Sequence, residues 1–308
     1  METLLIAGGC GFVGKNLIEK FHSEYQVVVI DRKIDEVFLS QFPGVRAYGY
    51  DFSDPAVLRH IISESHPDLI VNLVSVVTAE RDLSLFDALI NTNLKTMLEL
   101  FHACRDSERL KLFVQFGSAE EYGNIRSPFS ETDREQPNSP YALLKQLTTN
   151  TAMMLHQNYG FPTVVVRPGN IFGKYQPETK LIPYLVSQLK SNNPLRLSPG
   201  EQKRDFIHIS DFADALGALF QKRESIIGSI INISYGHGER IRDVVEYLKV
   251  KLDSKSELGF GAIPYRENEM IEFECDINRL RALTGFEFTR SLYEALDDYL
   301  RSIIGATV

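Results

Sequence analysis

The sequence predicts an α/β fold built on a doubly wound parallel sheet, followed by a smaller C-terminal α/β region. Two observations predict this class. Short apolar runs rich in β-branched residues alternate with longer stretches of amphipathic spacing, and a glycine-rich turn joins the first run to the first such stretch. Because parallel neighbouring strands need crossover connections, the alternation indicates a sheet with helices on both faces.

Six apolar runs are predicted as the strands of that sheet. In chain order they are TLLIAG, QVVVID, VRAYGYD, DLIVNLVS, KLFVQFG and PTVVVRPG. The segments between them place apolar residues three and four positions apart, which predicts helices. These helices are expected over residues 12–21, 56–65, 85–103 and 141–159.

The second half of the chain has a looser pattern. After Gly169, prolines interrupt mixed elements, and two later stretches, ERIRDVVEYLKVKL and SLYEALDDYLRSII, have the spacing of amphipathic helices. We therefore expect residues 1–168 plus about 205–233 to form the sheet region, and residues from about 169–204 plus 234–308 to form the smaller one.

Composition and charge argue against several classes of protein. The 308 residues include 44% hydrophobic and 24% charged residues, which is ordinary for a globular protein. The net charge of -8, without a basic run, argues against nucleic-acid binding. No stretch approaches the roughly 18 apolar residues of a membrane span. The three cysteines, Cys10, Cys104 and Cys275, have no metal-ligand or disulfide spacing, so we expect a cytoplasmic protein without a metal site.

The turn GGCGFVG follows the first predicted strand and opens a helix. Its glycines permit a tight turn and a close approach of backbone to a pyrophosphate, while the helix N-terminus offers unpaired N–H groups and partial positive charge. This is the pattern of a Rossmann sheet that binds NAD or NADP. The alternative is a tight turn without a ligand. The cofactor contacts expected in this turn are Gly8, Gly11, Phe12, Val13 and Gly14.

Asp31 ends the second predicted strand, twenty residues after Gly11. A carboxylate at this position accepts hydrogen bonds from the adenosine ribose and repels a 2′-phosphate, so it favours NAD over NADP. The next residue, Arg32, leaves the choice open, because a guanidinium can pair with such a phosphate or stack on adenine. Solvated surface is the other interpretation of Arg32.

A serine, a tyrosine and a lysine are predicted to form the reacting group. Ser118 follows the fifth strand, and Tyr141 and Lys145 stand one helical turn apart on the next helix. An ammonium beside a phenol favours the phenolate, so we expect Lys145 to lower the pKa of Tyr141. Tyr247 and Lys251 repeat the spacing without a strand-end serine, and are interpreted as helix surface.

These motifs resemble the extended short-chain dehydrogenases/reductases of the NAD-dependent epimerase/dehydratase family, which modify nucleotide-linked sugars. The resemblance spans nearly the whole chain. Its matching pieces are GGCGFVG, YDFSD, FGSAEEYG, SPYALLK, VVRPGNIFG and RDFIHISDFADA. One departure is NLVS at residues 72–75, where the family usually has His-Leu-Ala-Ala.

The resemblance implies a role for each member of the reacting group. Ser118 would orient the sugar carbonyl or hydroxyl, Tyr141 would transfer the proton, and Lys145 would hold the ribose and lower the tyrosine pKa. The cofactor contacts that it implies elsewhere are Asp51 and Phe52 at the adenine, and Leu73, Val74 and Ser75 along the cofactor.

The substrate end is expected in the smaller region. By the same resemblance, Asn170 and Arg204 contact the diphosphate of a nucleotide sugar. A guanidinium suits that task because its donors can grip two phosphate oxygens together. The alternative for Arg204 is a salt bridge to its neighbour Asp205. The sequence leaves GDP, dTDP, UDP and CDP sugars open.

The loop after the fifth strand bears on the reaction. The family's 4,6-dehydratases carry Thr-Asp-Glu where this chain has Ser118, Ala119 and Glu120, so the acid that expels water is missing. Simple 4-epimerases usually place small or hydroxyl residues at the Glu120 position, whereas GSAEEYG resembles 4-keto-6-deoxyhexose reductases. Glu120 is therefore a candidate catalytic residue, and Glu121 is expected to cap or solvate the loop.

The resemblance thus favours reduction of the C4 keto group of a nucleotide-linked 4-keto-6-deoxyhexose by NADH or NADPH. The alternatives are an NAD-dependent nucleotide-sugar 4-epimerase, and then a 4,6-dehydratase or a non-catalytic nucleotide-binding protein. The helices at residues 85–103 and 141–159 are also rich in apolar residues, so we expect a homodimer formed by a four-helix bundle. These residues could instead serve only to cover the sheet.

Overall fold

The computed structural model describes residues 1–78 and 80–304. Thirteen strands occur in this part of the chain. In chain order they are β1 (Thr3–Ala7), β2 (Gln26–Asp31), β3 (Arg46–Gly49), β4 (Leu69–Asn72), β5 (Leu112–Phe116), β6 (Thr163–Pro168), β7 (Asn170–Phe172), β8 (Leu195–Leu197), β9 (Lys203–Arg204), β10 (Phe206–His208), β11 (Ile230–Ile233), β12 (Glu239–Arg240) and β13 (Leu258–Phe260).

Twelve α-helices connect these strands in the described part of the chain. They are α1 (Phe12–Phe21), α2 (Glu36–Leu39), α3 (Pro55–Ser65), α4 (Phe86–Leu89), α5 (Thr96–Cys104), α6 (Pro140–Tyr159), α7 (Leu181–Lys190), α8 (Ile209–Gln221), α9 (Arg223–Ile226), α10 (Ile241–Lys251), α11 (Asn278–Thr284) and α12 (Leu292–Ile304). Across residues 1–78 and 80–304, none of them has the length and apolar character needed to cross a bilayer.

Seven parallel strands form the central sheet, in the order β11-β6-β5-β4-β1-β2-β3. The chain order reverses between β4 and β1, so the loops after these two strands diverge and leave a crevice at their carboxyl ends. The six runs predicted as strands are β1 to β6, which confirms the predicted fold class. β11 was not predicted as a strand, because four residues, of which three are apolar, are too few for periodicity to distinguish a strand from a loop.

Helices cover both faces of the sheet, as the nearly continuous apolar runs of the parallel strands require. In β1, Leu4 and Ile6 pack on one side with α1 and α8, and Leu5 and Ala7 pack on the other side with α3, α5 and α6. Both clusters are buried, so the central strands contribute apolar side chains to both faces.

The segment predicted as one helix at residues 85–103 is longer and less regular in the structure. A 3-10 turn (Leu83–Leu85) leads into α4, and a π-helical stretch (Ile90–Lys95) joins α4 to α5. Asn93 in the π-helical stretch accepts a hydrogen bond from the Val76 N–H at 2.8 Å. The irregular turn therefore ties this helical segment to the loop after β4.

A third cluster of apolar side chains holds the smaller region together. It joins α7, α10 and α12, and the two predicted C-terminal helices are α10 and α12. Tyr247 and Lys251 both bind Asp297 of α12, at 2.8 Å and 2.7 Å. Both side chains lie at least partly on the helix surface, and there they link α10 to α12.

A buried polar group lies behind the carboxyl end of the sheet. The fully buried guanidinium of Arg167, on β6, forms ion pairs with Glu121 at 2.7 Å and Glu135 at 2.5 Å. It also stacks over the ring of Tyr122, 4.6 Å from the ring centroid. Burying charge is costly, and this charge is tolerated because two carboxylates compensate it.

This arrangement predicts the effect of removing the guanidinium. Replacing Arg167 with Met leaves Glu121 buried without its partner, so we expect Arg167→Met to lower the free energy of unfolding by about 3–5 kcal/mol. Urea unfolding followed by circular dichroism measures this loss.

The matched control is Arg281→Met, which breaks the exposed ion pair with Glu287. Exposed pairs contribute at most about 1 kcal/mol, so this variant should unfold close to the parent protein. Equal urea midpoints of unfolding for Arg167→Met and Arg281→Met would show that the Arg167 ion pairs do not stabilise the fold.

Candidate active site

The turn between β1 and α1 lies at the crevice where the strand order reverses. Gly8 has φ +84, a conformation that favours glycine, and a Cβ there would lie 3.2 Å from the backbone of Leu73 and Val74. A Cβ on Gly14 would lie 2.5 Å from Gly9, so α1 packs directly on the turn. The structure thus brings the glycine turn and the end of β4 together.

The N-terminus of α1 faces this crevice without a side-chain cap. Gly11 precedes the helix and offers no capping side chain, so the first N–H groups, from Phe12 and Val13 onward, have no intrahelical acceptor. These donors and the partial positive charge of the helix end suit a pyrophosphate.

Asp31 has a fixed orientation at the end of β2. Its carboxylate accepts hydrogen bonds from the Cys10 N–H at 2.9 Å and from the Lys33 N–H at 3.2 Å. It lines a cleft of about 610 Å³ that also contains Gly11 and Asp35. This acidic cleft suits the adenosine ribose of NAD.

The ends of β2 and β3 place two further predicted contacts near Asp31. A hydrogen bond with the Ser53 side chain, supported by the charge of Arg32, lowers the pKa of Asp51. Phe52 adopts φ +63 and packs against Tyr50, with 5.2 Å between the ring centroids. Arg32 and Asp51 therefore lie on neighbouring strand ends.

The departure from the family at residues 72–75 has a structural explanation. The Asn72 amide donates to Gln115 Oε1 at 2.8 Å, and its oxygen accepts from the Val74 N–H at 3.2 Å. This amide pair joins β4 to β5 below the crevice. The Ser75 hydroxyl donates to the Val76 carbonyl at 3.2 Å, so the Leu73 to Ser75 backbone follows a defined path.

The three predicted reacting residues come together beside this path. Ser139 caps α6 by accepting from the Ala142 N–H at 3.1 Å, which places Tyr141 in the first turn. The Ser118 side chain lies close enough to the Tyr141 phenol to influence its pKa. Lys145 Nζ donates to the Phe116 carbonyl at 2.8 Å and lies 5.9 Å from the centroid of the Tyr141 ring.

Burial, rather than the neighbouring ammonium, decides the pKa of Tyr141. Desolvation raises it, the nearby Ser118 side chain opposes the rise, and the carboxylates of Glu120 and Glu121 add to it. Desolvation also lowers the pKa of Lys145 to about 8. The expectation that Lys145 lowers the tyrosine pKa is therefore corrected, and Tyr141 is a protonated phenol at neutral pH.

The two adjacent carboxylates of the loop have different environments. Burial raises the pKa of Glu120, with the charge of Arg204 opposing it, and none of the described residues donates a hydrogen bond to its carboxylate. Glu121 is fully buried and accepts from the Ser118 N–H at 2.8 Å in a capping box. Glu121 therefore caps the loop as expected, but is not solvated.

The predicted substrate end contains an ion pair that the sequence did not indicate. Arg204 binds Glu269 and donates to the Met270 carbonyl at 2.7 Å. Asp205 instead accepts hydrogen bonds from backbone N–H groups such as that of Gly236, at 3.0 Å, so the alternative of an Arg204–Asp205 bridge is wrong. Glu269 lies 65 residues further along the chain, and no local pattern signals the contact.

Asn170, the other predicted substrate contact, has a donor available. The backbone N–H of Asn170 donates to the Asp205 carbonyl oxygen at 2.9 Å. Its side-chain Nδ2 is buried and finds no acceptor in the part of the chain that the structure describes. An unpaired buried donor is costly, which makes this nitrogen a candidate ligand-binding atom.

Comparison with known proteins agrees with this geometry. A curated relative, the dTDP-glucose 4,6-dehydratase of Xanthomonas campestris pv. campestris (strain B100), is 27% identical over 97% of this chain and 93% of its own length. A solved UDP-N-acetylglucosamine 4-epimerase from Methanobrevibacter ruminantium M1, in complex with UDP-N-acetylmuramic acid, superposes with a TM-score of 0.88 at 23% identity, covering 99% of both chains.

The UDP-glucuronic acid 4-epimerase of Bacillus cereus, solved with UDP-glucuronic acid and NAD, has a TM-score of 0.89 at 22% identity and covers 98% of this chain and 99% of its own. NAD fits this fold as its cofactor, because the glycine turn and the uncapped end of α1 suit its pyrophosphate and the carboxylate of Asp31 suits its adenosine ribose. A model of the NAD dependent epimerase/dehydratase family matches residues 4–234. The chain therefore belongs to the NAD-dependent epimerase/dehydratase family.

Proposed function

We propose that the protein reduces the C4 keto group of a nucleotide-linked 4-keto-6-deoxyhexose and consumes NADH or NADPH. The observation that carries this proposal is Ala119. Its methyl group is fully buried with Tyr122 and Phe129, at the position where the dehydratases of the family carry an acid. The loop therefore lacks the acid that the dehydratases carry at this position, while Ser118, Tyr141 and Lys145, the residues proposed for carbonyl reduction, are all present.

The residues of this chain would hold the cofactor at three points. The glycine turn and the α1 N-terminus would bind the pyrophosphate, Asp31 the adenosine ribose, and Lys145 the nicotinamide ribose. When bound, the dinucleotide supplies the hydride.

Proton transfer falls to the Tyr141 phenol. Burial keeps it protonated at neutral pH, which suits donation to an oxygen that becomes an alkoxide during reduction. Ser118, which lies close to Tyr141, would orient the same sugar oxygen. Glu120 lies in the same loop with a raised pKa and no donor among the described residues, so we propose it as a further acid or base near the sugar.

The substrate diphosphate is assigned to Asn170 and Arg204. The buried, unpaired Nδ2 of Asn170 supports its assignment.

We also propose that residues 1–168 plus about 205–233 bind the dinucleotide and that the remainder binds the nucleotide sugar. The position of β11 in the central sheet supports this division.

The three cysteines are free thiols, which favours a cytoplasmic location.

A nucleotide-sugar 4-epimerase is the second candidate. Asp31 favours NAD, which an epimerase regenerates in each cycle, and two of the similar solved structures bear the name of 4-epimerases. Dehydration, the activity named for the first curated relatives, is disfavoured by Ala119. A non-catalytic role is disfavoured because Ser118, Tyr141 and Lys145 are all present and close together.

A direct assay separates these candidates. Added to the protein with NADH or NADPH, a 4-keto-6-deoxyhexose linked to GDP, dTDP, UDP or CDP should cause a stoichiometric loss of cofactor absorbance. The product should be a nucleotide 6-deoxyhexose. If absorbance stays constant while a nucleotide hexose converts to its C4 epimer, the protein is an epimerase and the reductase proposal is wrong.

Replacing the phenol tests the proton donor. Tyr141→Phe removes the hydroxyl that is proposed to donate the proton to the C4 oxygen, so kcat should fall by about a hundred- to ten-thousandfold. Tyr247→Phe is the matched control, since Tyr247 also precedes a lysine by four residues but binds Asp297 on the surface of the smaller region. Its kcat should stay within about twofold of the parent. Full turnover by Tyr141→Phe would exclude the assignment.

We also propose a homodimer that pairs the α4–α5 segment and α6 across a two-fold axis. Leu143, Leu147 and Met154 lie on one face of α6 and are 42%, 43% and 41% exposed, so these side chains do not serve to cover the sheet. Ile90 is exposed on the adjoining segment.

The dimer can be tested with a charge on this face. Light scattering at micromolar concentration should give the mass of a dimer for the parent protein, and Leu147→Glu should shift it to a monomer because it buries a carboxylate in the apolar interface. Val250→Glu, at an exposed position on α10, should remain dimeric. A monomeric mass for the parent protein would rule the dimer out.

A further inference from the structure

Glu121 is a buried carboxylate that the proposed chemistry leaves without a role. Its Oε1 accepts from the Ser118 N–H at 2.8 Å and from the Thr149 hydroxyl at 3.0 Å, and its Oε2 accepts from Arg167 Nε at 2.9 Å. These partners belong to the loop after β5, to α6 and to β6. One side chain thus joins the three elements that border the reacting group.

The carboxylate and Lys145 hold the same strand end from two sides. A Cβ on Gly117 would lie 2.4 Å from Glu121 Oε1, so the carboxylate rests directly on this backbone. Lys145 Nζ donates to the carbonyl of Phe116, the preceding residue. Thr149 follows Lys145 by one turn of α6, so its bond to Glu121 fixes the turn that carries the lysine.

We propose that Glu121 is a positioning residue whose carboxylate holds the Ser118 loop against the Lys145 turn of α6 and supplies the counter-charge for the buried Lys145 ammonium. The proposal rests on the proposed function only in taking Ser118 and Lys145 as members of the reacting group. It holds equally for a reductase and an epimerase.

Several charged or titratable groups face or adjoin Glu121. Arg167 approaches from β6 with Glu135 behind it, Lys145 and Tyr141 lie on α6, and Glu120 and Tyr122 flank it in the loop. Burial raises the pKa of Glu121 and opposes the charge on Arg167, but the attraction between the two groups, 2.7 Å apart, opposes both effects. The proposal takes this pair as ionic. Burial lowers the pKa of Lys145 to about 8, and attraction to Glu121 limits that fall.

The sign of the expected pH effect follows from this. Lys145 loses its charge as the pH rises through its pKa. Without the negative charge of Glu121 the pKa of Lys145 falls further, so the ammonium is lost at a lower pH. Binding of the nicotinamide ribose by that ammonium is then lost at the same lower pH.

Glu121→Gln keeps the acceptor for Ser118 and removes the charge. We expect the alkaline loss of NADH affinity to move to lower pH by about one unit, measured by NADH fluorescence titrations at several pH values. Glu135→Gln is the matched control, because it also removes a carboxylate from Arg167 but touches neither Ser118 nor Thr149. The pH midpoint at which this variant loses NADH affinity should equal that of the parent protein.

Variants of Thr149 test the same contact without changing any charge. Thr149→Val should lower kcat about tenfold with KM nearly unchanged, and Thr149→Ser, which keeps the hydroxyl, should restore it. Thr148→Val removes an equally buried hydroxyl that binds only the Lys145 carbonyl, and should stay within about twofold of the parent.

Two outcomes would overturn the proposal. One is that NADH affinity is lost at the same pH midpoint in Glu121→Gln and Glu135→Gln. The other is an equal loss of kcat for Thr149→Val and Thr148→Val. If Glu121→Gln does not fold, the Thr149 series decides. The NADH titration needs no sugar turnover, so it decides even if the reductase proposal fails.

Discussion

The ion pair between Glu121 and Arg167 is the constraint on which the carboxyl end of the sheet depends. Both side chains are fully buried, so neither charge can turn to solvent if the other moves away. The surrounding polar contacts extend the constraint. The Tyr122 hydroxyl donates to Asn232 Oδ1 at 2.8 Å on β11, and the Asn232 amide donates to the Phe129 carbonyl at 2.9 Å. A buried network of this kind favours one arrangement, because moving any of these side chains breaks several hydrogen bonds together.

Local patterns predicted most of the fold and named the candidate reacting residues that the structure brings together, and the limits of these patterns have physical causes. The strands β1 to β6, the glycine turn and the pairing of Tyr141 with Lys145 all follow from periodicities of two to four residues. The pairing of Arg204 with Glu269 does not, because it is made only when distant loops meet. In a 3-10 turn the side chains of neighbouring residues point about 120° apart, so Glu120 and Glu121 face different surroundings. The sequence alone does not show which of the two is buried. The pKa of Tyr141 could not be predicted either, since the depth of its burial depends on the fold.

The position of Ala119 shows how packing can limit chemistry. The residue lies among aromatic side chains, with Tyr122 and Phe129 stacked 5.0 Å apart and Phe273 edge-on to the second ring. A carboxylate introduced there would be desolvated without a partner. Acquiring an acid at this position would therefore require several neighbouring side chains to change together, and the reaction available to the loop is set by its apolar surroundings as much as by one residue.

The amide pair of Asn72 and Gln115 has a consequence for how the enzyme responds to its medium. The family usually has a histidine at this position, a side chain that exchanges protons near neutrality. An amide pair does not ionise, so the floor of the crevice keeps the same electrostatic character in acidified and alkaline cells alike. A change in pH therefore acts on the ionisable side chains around the crevice, such as Lys145, and leaves this part of its floor unchanged.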